Sequence, residues 1–367
     1  MNVGCVKEIK KLESRVGLTP SAVREYVNAG HRVLIETNAG AMSGFPDADY
    51  QKAGAVILEK AEQVWSQADM IVKVKEPLAP EYKFFRDGLI LYTYLHLAAN
   101  EELTKELLKT KVKGVAYETI VTEDGGLPCL KPMSEVAGRL AIIEGAKRLE
   151  KPFGGSGILL SGVPGVDRGN VVIVGAGVVG ENALKMAVGL EANVIVLDIN
   201  LKKLTYLDEL YGNRITTLYS TADNIEKSLE KADLVVSGVL LPGAMAPKLI
   251  KRAYYKTMRP GSVIVDVAID QGGSTEVSKA TYHDDPVFVV DGINHYCVAN
   301  MPGAVPRTST IALNNATIRY GLAIANMGIE TACKAHKAIK AGVNTYDGKC
   351  TCKGVADAFG LPFVELA

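Results

Sequence analysis

Short apolar runs rich in Val and Ile alternate along the chain with segments in which apolar residues recur at helical spacing. This alternation predicts strands joined by helices, and therefore mostly parallel sheets. In the segment TPSAVREYVNAG, for example, Thr19 or Ser21 can cap a helix that ends at Gly30. The predicted strands of the first series cover residues 2–7, 31–37, 55–58, 70–74, 89–95 and 114–118.

A second alternating series follows the glycine-rich segment PFGGSGILLSGVPGV. Two longer helices are also predicted, one over residues 134–151 with Ser134 as its N-cap and one over residues 308–327. The predicted strands of the second series cover residues 170–175, 193–198, 233–239, 262–269 and 287–292.

The chain of 367 residues is longer than one compact domain normally is, so two domains are expected. The tail after residue 327 is too short to bury a core alone, and we expect it to pack on the N-terminal domain. The predicted fold is α/β, with two Rossmann-like domains, each a mostly parallel sheet flanked by helices, and the active site in the cleft between them. The first domain is predicted to comprise residues 1–128 and 307–367, and the second residues 129–306.

The segment ADMIVKVKEPL places two lysines, Lys73 and Lys75, beside an apolar run. Alternate residues of a strand point the same way, so both ammonium groups would leave one face. Desolvating an unpaired charge is expensive, and an edge strand with one wet face would avoid that cost. The alternative is that an anion binds there, with Lys75 as its partner and Lys73 as a solvated or structural lysine.

Composition excludes several classes of function. Lys plus Arg and Asp plus Glu number 41 each, so no basic excess indicates nucleic-acid binding. The charged N-terminus does not resemble a signal peptide, and no apolar run reaches the roughly 18 residues of a membrane span. The six scattered cysteines favour reduced thiols and a cytoplasmic location, and the close pair Cys350 and Cys352 lacks a second pair to complete a metal site. No metal site is predicted.

The segment VVIVGAGVVGENALKMAVGLEANVIVLDIN carries the most specific local pattern. Gly175, Gly177 and Gly180 form GxGxxG directly after an apolar strand and at the start of a helix, which is typical of dinucleotide binding. The next strand ends at Asp198, where a carboxylate can accept from both ribose hydroxyls and repel a 2′-phosphate, which favours NAD over NADP. The alternatives are a purely structural glycine loop and a satisfied carboxylate at the end of a strand.

Three polar residues, Lys75, His96 and Asp270, each follow an apolar run that is predicted to be a strand. Because ligands of open α/β sheets collect at the carboxyl ends of strands, all three can face one cleft. Asp266 has the same parity as Asp270 along its strand, so the pattern alone does not choose between them. His96 could equally be a core histidine.

Arg15 lies in the loop LESRVGLTP, between the first strand and the first helix. A guanidinium there can bind a carboxylate through two parallel hydrogen bonds, although a surface charge is the plain alternative. These residues together predict an NAD-dependent oxidoreductase that acts on a small anionic substrate.

The whole chain resembles bacterial L-alanine dehydrogenases, of the alanine dehydrogenase and transhydrogenase alpha-subunit family. The resemblance rests on long motifs: VGCVKEIKKLESRVGLTP, DMIVKVKEPLAPEY, LILYTYLHLA, KPMSEVAGRLA, SGVLLPGAMAPKLI, VIVDVAIDQGG and YCVANMPGAVPRTST. It implies reversible NAD-dependent oxidation of L-alanine to pyruvate, ammonium and NADH by a homohexamer. More distant relatives are the nucleotide-binding transhydrogenase component and the saccharopine-forming enzymes, which give the alternative functions. A third alternative is an NAD-sensing protein on the same scaffold.

Carried over residue by residue, the resemblance implies that Arg15 and Lys75 bind the substrate and that His96 and Asp270 are the acid/base pair. Lys203 and Lys279 could instead be ordinary solvated lysines. Besides the three fingerprint glycines, the implied cofactor contacts are Ser134, Val178, Val179, Asp198, Lys203, Ser220, Val239, Leu240, Val267, Ala268, Ile269, Asp270, Lys279, Val298, Ala299, Asn300 and Met301.

Overall fold

The structure is a computed structural model that describes residues 1–239 and 245–366. It divides into two compact units. The first unit comprises Met1–Met133 and Val305–Ala367, and the second comprises Ser134–Ala304. These divisions lie within a few residues of the predicted domain boundaries at 128/129 and 306/307.

The first unit contains a mixed sheet of eight strands among the described residues, in the order β15-β14-β6-β5-β4-β1-β2-β3. Strands β1 to β6 run parallel, and β14 and β15 add an antiparallel edge. The elements of the first segment are β1 (Asn2–Cys5), α1 (Pro20–Asn28), β2 (Arg32–Glu36), α2 (Asp47–Lys52), β3 (Val56–Leu58), α3 (Ala61–Gln67), β4 (Met70–Val72), α4 (Ala79–Tyr82), β5 (Ile90–Thr93), α5 (Glu101–Lys109) and β6 (Lys113–Ala116). Thr19 caps α1 as predicted, because its side chain accepts from the Ala22 amide.

The C-terminal segment completes this unit. Its helix α10 enters the same core, where Tyr92 donates to the Thr317 carbonyl and Asn314 bonds to the backbone of Gly17 and Thr19. The antiparallel edge strand β14 pairs with β6. The elements of the segment are α10 (Pro306–Met327), α11 (Ile329–Ala335), α12 (Lys337–Gly342), β14 (Val343–Tyr346), β15 (Lys349–Cys350) and α13 (Lys353–Phe359).

The strand order reverses between β1 and β4, because β2 and β3 lie on one side of β1 and β4 to β6 on the other. Loops that follow neighbouring strands at such a point form the crevice in which α/β proteins bind ligands. Strand β4 is interior, so the edge-strand explanation for Lys73 and Lys75 is wrong. It also ends at Val72, so both lysines lie in the loop that follows.

The second unit contains a sheet of seven strands within the described part of the chain, in the order β12-β13-β11-β10-β7-β8-β9, in which only β12 is antiparallel. The prediction of two α/β units with mostly parallel sheets is therefore confirmed. The elements are α6 (Lys131–Arg148), within which the division between units falls, β7 (Asn170–Val174), α7 (Val178–Gly189), β8 (Asn193–Asp198), α8 (Leu201–Tyr211), β9 (Ile215–Tyr219), α9 (Ala222–Leu229), β10 (Leu234–Ser237), β11 (Val263–Asp266), β12 (Val287–Val290) and β13 (Ile293–Tyr296).

Several details differ from the prediction. Helix α6 begins at Lys131, so Ser134 lies inside the helix and is not its N-cap. Strands β9 and β13 were not predicted, because ITTLY and INHY mix polar and apolar residues without a clear apolar run. Proline at the second helical position of α6 explains the early start, since proline is well tolerated in a first turn.

His295, in β13, is fully buried in this second sheet. Its imidazole stacks on Phe288 with ring centroids 4.9 Å apart and lies 5.3 Å from the ring of Tyr255. Neither ring nitrogen has a hydrogen-bond partner among the described residues. Burial lowers the pKa of His295 from 6.5 to about 4, so the folded protein holds this side chain neutral.

Acid should therefore destabilise the second unit through His295. The unfolded chain binds this proton at a higher pH than the folded chain does. The free energy of unfolding therefore has its full value above pH 6.5 and decreases by up to about 3 kcal/mol as the pH falls toward 4. Urea denaturation between pH 7 and 4.5 should show a shallower loss of unfolding free energy for His295→Phe than for the unchanged protein. The exposed His336→Gln is the matched control, and equal pH dependence in all three proteins would contradict the expectation.

Candidate functional site

Arg15 follows β1 and is buried, with 2% of its surface exposed. Its guanidinium donates to both carboxylate oxygens of Glu13, from Nε at 2.8 Å and from Nη2 at 2.6 Å. Its Nη1 lies 3.1 Å from Sδ of Met133. Burial alone lowers the pKa of Arg15, but the hydrogen bonds and charge of Glu13 raise it above its usual value, so the cation is permanent. The two-bond arrangement predicted for a substrate carboxylate is thus made with Glu13.

The two lysines after β4 have different roles. Lys73 is fully buried, and its ammonium group lies 3.0 Å from Glu8 Oε2 and 3.0 Å from Glu81 Oε1. Burial by itself lowers the pKa of Lys73, but the two carboxylates raise it above the ordinary value. Lys73 is therefore a structural lysine, which was one of the two roles, solvated or structural, that the sequence allowed for it.

Lys75 is half-buried, and its backbone is held on both sides. Its N–H donates to Glu8 Oε1 at 3.2 Å, beside the Val74 N–H at 2.6 Å, and its carbonyl accepts from the Thr93 hydroxyl at 3.0 Å. The carboxylate that neutralises Lys73 thus also fixes the backbone from which Lys75 extends. Buried carboxylates need several such donors, and here the loop supplies them.

His96 is exposed and lies three residues beyond the end of β5. Its φ of 48° is in the left-handed region, a conformation that costs a non-glycine residue of order 1–3 kcal/mol. The Glu118 carboxylate holds this turn, since it accepts from the His96 N–H at 2.6 Å and from the Leu95 N–H at 3.1 Å. The imidazole stacks on Tyr94, with centroids 5.9 Å apart and planes 16° apart. His96 is therefore not a core histidine.

The structure places Arg15, Lys75 and His96 on the loops after β1, β4 and β5. These are consecutive neighbours in the sheet order β5-β4-β1, so the three loops leave the same carboxyl edge beside the topological switch. Glu8, in the loop after β1, accepts from the Val74 and Lys75 amides of the loop after β4, and Thr93, which ends β5, donates to the Lys75 carbonyl, so the three loops are near one another. The first unit thus presents cationic groups and an imidazole at one edge.

The glycine loop of the second unit fits a dinucleotide. Gly175 has φ 96°, which side chains rarely adopt, and a Cβ on Gly180 would lie 1.8 Å from the Gly175 carbonyl oxygen. A Cβ added at Gly177 would lie in open space. Gly177 is the N-cap residue of α7, and as a glycine it has no side chain that could accept from the first amides of the helix. The first-turn amides of α7 are therefore available to a pyrophosphate.

Asp198 ends β8 and accepts from the Ala176 N–H of the glycine loop at 2.6 Å and from the Asn200 N–H at 2.7 Å. A carboxylate has about four acceptor positions, so two backbone bonds leave capacity for ribose hydroxyls. Asp198 thus has a local structural role, which was the alternative left open by the sequence. Its remaining acceptor positions can still bind ribose hydroxyls.

Several other predicted cofactor residues lie at the carboxyl edge of the second sheet. Val178 and Val179 form the first turn of α7, and Ser220 follows β9. Val239 follows β10 and would contact a Cβ on Gly175 at 2.9 Å, which places it at the switch between β7 and β10. Leu240 lies outside the described residues. Ser134 lies in α6.

The two lysines carried over by resemblance have local partners. Lys203 Nζ lies 2.6 Å from Glu181 Oε2, and Lys279 Nζ lies 4.5 Å from the centre of the Phe288 ring. An ion pair and a cation–π contact are ordinary structural roles.

Asp266 and Asp270, which the sequence left as alternatives, are clearly different in the structure. Asp266 is fully buried, and it accepts from the amides of Ala268 and Ser274 and from the hydroxyls of Ser274 and Ser278. Asp270 is exposed and lies in a 3-10 turn, Val267–Gln271, that begins directly after β11. Asp266 therefore builds the turn that presents Asp270, and Asp270 does not itself end the strand as predicted.

The remaining predicted contacts belong to this turn and to one further segment. Val267, Ala268 and Ile269 precede Asp270 in the 3-10 turn. Val298, Ala299, Asn300 and Met301 follow β13, where Asn300 has a left-handed φ of 67°. The Ala299 N–H donates to the Thr281 carbonyl at 3.1 Å, which fixes the segment.

Comparison with known proteins assigns the family. Residues 4–137 match the model of the alanine dehydrogenase/PNT N-terminal domain, and residues 141–353 match that of the C-terminal domain. The chain belongs to the alanine dehydrogenase/PNT family. It is 54% identical over 367 residues to alanine dehydrogenase of Staphylococcus haemolyticus strain JCSC1435, with 100% of this chain and 98% of that protein covered. It is 53% identical to alanine dehydrogenase 2 of Staphylococcus aureus strain USA300 over the same shares.

Solved structures agree with this assignment. An L-alanine dehydrogenase structure, 49% identical, superposes with a TM-score of 0.96 over 98% of this chain and 99% of that chain. A transhydrogenase from Sinorhizobium meliloti, 24% identical, superposes with a TM-score of 0.81 over 96% of this chain and 99% of that chain, and shares the fold. The family predicted from the sequence motifs is confirmed.

Sequence reasoning missed the carboxylates that support the site. Glu8 and Glu13 lie in the motif VGCVKEIKKLESR, and Glu118 follows β6, but nothing in their spacing indicates burial or backbone partners. Across the described residues, no cluster of His, Cys, Asp or Glu is arranged to hold a metal ion. None of the helices in residues 1–239 and 245–366 is long and apolar enough to span a membrane.

The glycine loop gives a direct test. Gly180→Ala should abolish NADH binding or folding, because its Cβ would overlap the Gly175 carbonyl oxygen. Gly189→Ala is the matched control in the same helix, where an added Cβ meets no atom within 4 Å. This variant should retain binding, and its free energy of unfolding should rise by about 0.5–1 kcal/mol. NADH fluorescence titration and thermal melting measure both effects. Normal binding by the Gly180 variant would contradict the role of this loop.

Proposed function

We propose that the protein is an L-alanine dehydrogenase that reversibly converts L-alanine and NAD to pyruvate, ammonium and NADH. The observation that carries the proposal is the set formed by Arg15, Lys75 and His96, which lie on adjacent loops at one edge of the first sheet. The family and the alanine dehydrogenase relatives at 53–54% identity support the same reaction.

Substrate binding is assigned to Arg15 and Lys75. An amino acid as small as alanine offers little apolar surface, so its charged groups must supply much of the binding free energy. Glu13 accepts from Nε and Nη2 of Arg15 and so fixes the orientation of the guanidinium, whose charge we assign to the substrate carboxylate. Lys75 extends from a rigid loop, and we assign it to the carboxylate and the pyruvate oxygen.

Proton transfer is assigned to His96 and Asp270. When NAD is bound, its nicotinamide accepts the hydride that leaves the alanine Cα. Water must then add to the resulting iminium carbon, and the carbinolamine must release ammonia. Both steps need groups that give and take a proton, and we assign these roles to the His96 imidazole and the Asp270 carboxylate.

The preference for NAD, the homohexamer and the cytoplasmic location are parts of the same proposal. Asp198 disfavours a 2′-phosphate, which supports NAD. The six cysteines are all unpaired, which suits a reducing compartment. The hexamer rests on the family resemblance alone, and light scattering after gel filtration measures it directly.

A spectrophotometric screen of amino acids with NAD and NADP tests the reaction. L-Alanine with NAD should give NADH without any partner protein. A nucleotide-binding transhydrogenase component, which the shared fold also allows, would show no turnover until its partner domain is added.

Replacing His96 tests its role. His96→Ala should lower alanine oxidation by about 10²–10⁴-fold while NADH binding stays near normal, because the imidazole moves protons and does not hold the cofactor. His31→Ala is the control, since His31 precedes β2 at the opposite edge of the same sheet and bonds to Asn326. Ordinary turnover by the His96 variant would remove it from the mechanism.

Replacing Asp198 tests the cofactor preference. Asp198→Ala should raise the ratio of kcat/KM for NADP over NAD by about ten- to a hundredfold, because a charged hydrogen bond to the ribose is lost together with the repulsion of a 2′-phosphate. Asp198→Asn keeps a side-chain acceptor for the Ala176 amide and separates the loss of charge from disturbance of the loop. An unchanged ratio in both variants would refute the ribose assignment.

A further inference from the structure

The three candidate residues of the first unit share one backbone feature. In each case the residue's own N–H donates to a glutamate carboxylate that lies outside its strand. The acceptors are Glu13 for Arg15 at 3.0 Å, Glu8 for Lys75 at 3.2 Å, and Glu118 for His96 at 2.6 Å. The recurrence at three different loops indicates a way of fixing functional side chains through their backbone.

Glu118 shows the arrangement most clearly. It follows β6 in the 3-10 turn Tyr117–Thr119, next to the loop after β5. Both of its oxygens lie within hydrogen-bond distance of the Leu95 N–H, at 3.1 Å and 3.3 Å, and Oε1 also accepts from His96. Two consecutive amides thus converge on one carboxylate.

This contact acts where the backbone is least stable by itself. The φ of His96 is 48°, a conformation that needs support from outside the residue. The imidazole is also held from the side by the Tyr94 ring, whose hydroxyl is anchored on the Cys129 carbonyl at 2.6 Å. Backbone and ring are therefore fixed by separate groups.

We propose that Glu118 is a positioning residue that fixes the turn at His96 and so orients its imidazole toward the substrate. The proposal rests on the proton-transfer role assigned to His96 above. Glu118 is the best member of the three to test, because Glu8 and Glu13 also neutralise buried cations.

The test is a double-mutant cycle between Glu118 and His96, assayed as alanine oxidation by the full-length protein. Glu118→Gln retains one acceptor oxygen and places an NH₂ group against the loop amides. Its kcat should fall by about ten- to a hundredfold, with NADH affinity and the KM for L-alanine near those of the unchanged protein. In a His96→Ala background the same change should have no further effect, because the group it positions is gone.

Two variants complete the design. Glu123→Gln is the matched control, since Glu123 is exposed in the same segment and pairs with Lys337 at the surface, and it should leave kcat unchanged. Glu118→Asp keeps the charge and should lose less than Glu118→Gln, which also guards against a variant that does not fold.

The outcomes separate this proposal from the proposed function. Normal kcat in Glu118→Gln, or an equal fold loss with and without His96, would overturn the positioning role alone. Normal turnover in the single His96→Ala variant would overturn the assigned role of His96 and the positioning role with it. Loss in Glu118→Gln that disappears in the His96→Ala background would support both.

Discussion

The ion pairs of Lys73 with Glu8 and Glu81 are the constraint on which the loops at the carboxyl edge of the first sheet depend. One buried ammonium group lies between two carboxylates, and each carboxylate uses its other oxygen to accept from backbone amides of the segment that carries Lys75. Removing one partner of a buried pair typically costs about 3–5 kcal/mol, because the remaining charge stays uncompensated. The loop is therefore held by charge and backbone hydrogen bonds together.

The same arrangement explains how short loops can hold reactive side chains. Strands β1, β4 and β5 are only three or four residues long, and most of their side chains are buried in the core. The functional groups lie beyond the strand ends, where the backbone has no ladder partner to fix it. Carboxylates from the same loop or a neighbouring one accept from these backbone amides instead, and Asp266, at the end of β11, does the same for the turn that carries Asp270.

The sequence was most informative where one residue type has one physical use. The glycines at 175 and 180 could be read directly, because a left-handed φ at the first and a close backbone approach at the second exclude other residues. Strand positions were also readable from apolar runs, but their ends were not, since Val74 and Leu95 are buried beyond the last ladder pair and lengthened the predicted strands.

The supporting carboxylates could not be found in this way. Glu8 and Glu118 resemble any surface glutamate in the sequence, and only the folded chain brings Lys73 or the His96 amide to them. The choice between Asp266 and Asp270 was open for the same reason. In the structure Asp266 accepts from four donors, two of them hydroxyls eight and twelve residues away, whereas Asp270 is exposed.

The division of the first unit into two segments has a consequence for biosynthesis. Thr317 and Asn314, which bond to Tyr92 and to the backbone of Gly17 and Thr19, leave the ribosome only after the whole second unit has been made. The first 133 residues must wait with part of their core uncovered, whereas residues 134–304 are continuous and can fold as they emerge. Translation therefore completes the second unit before the first, whose core and sheet edge are finished only when helix α10 and strands β14 and β15 have been made.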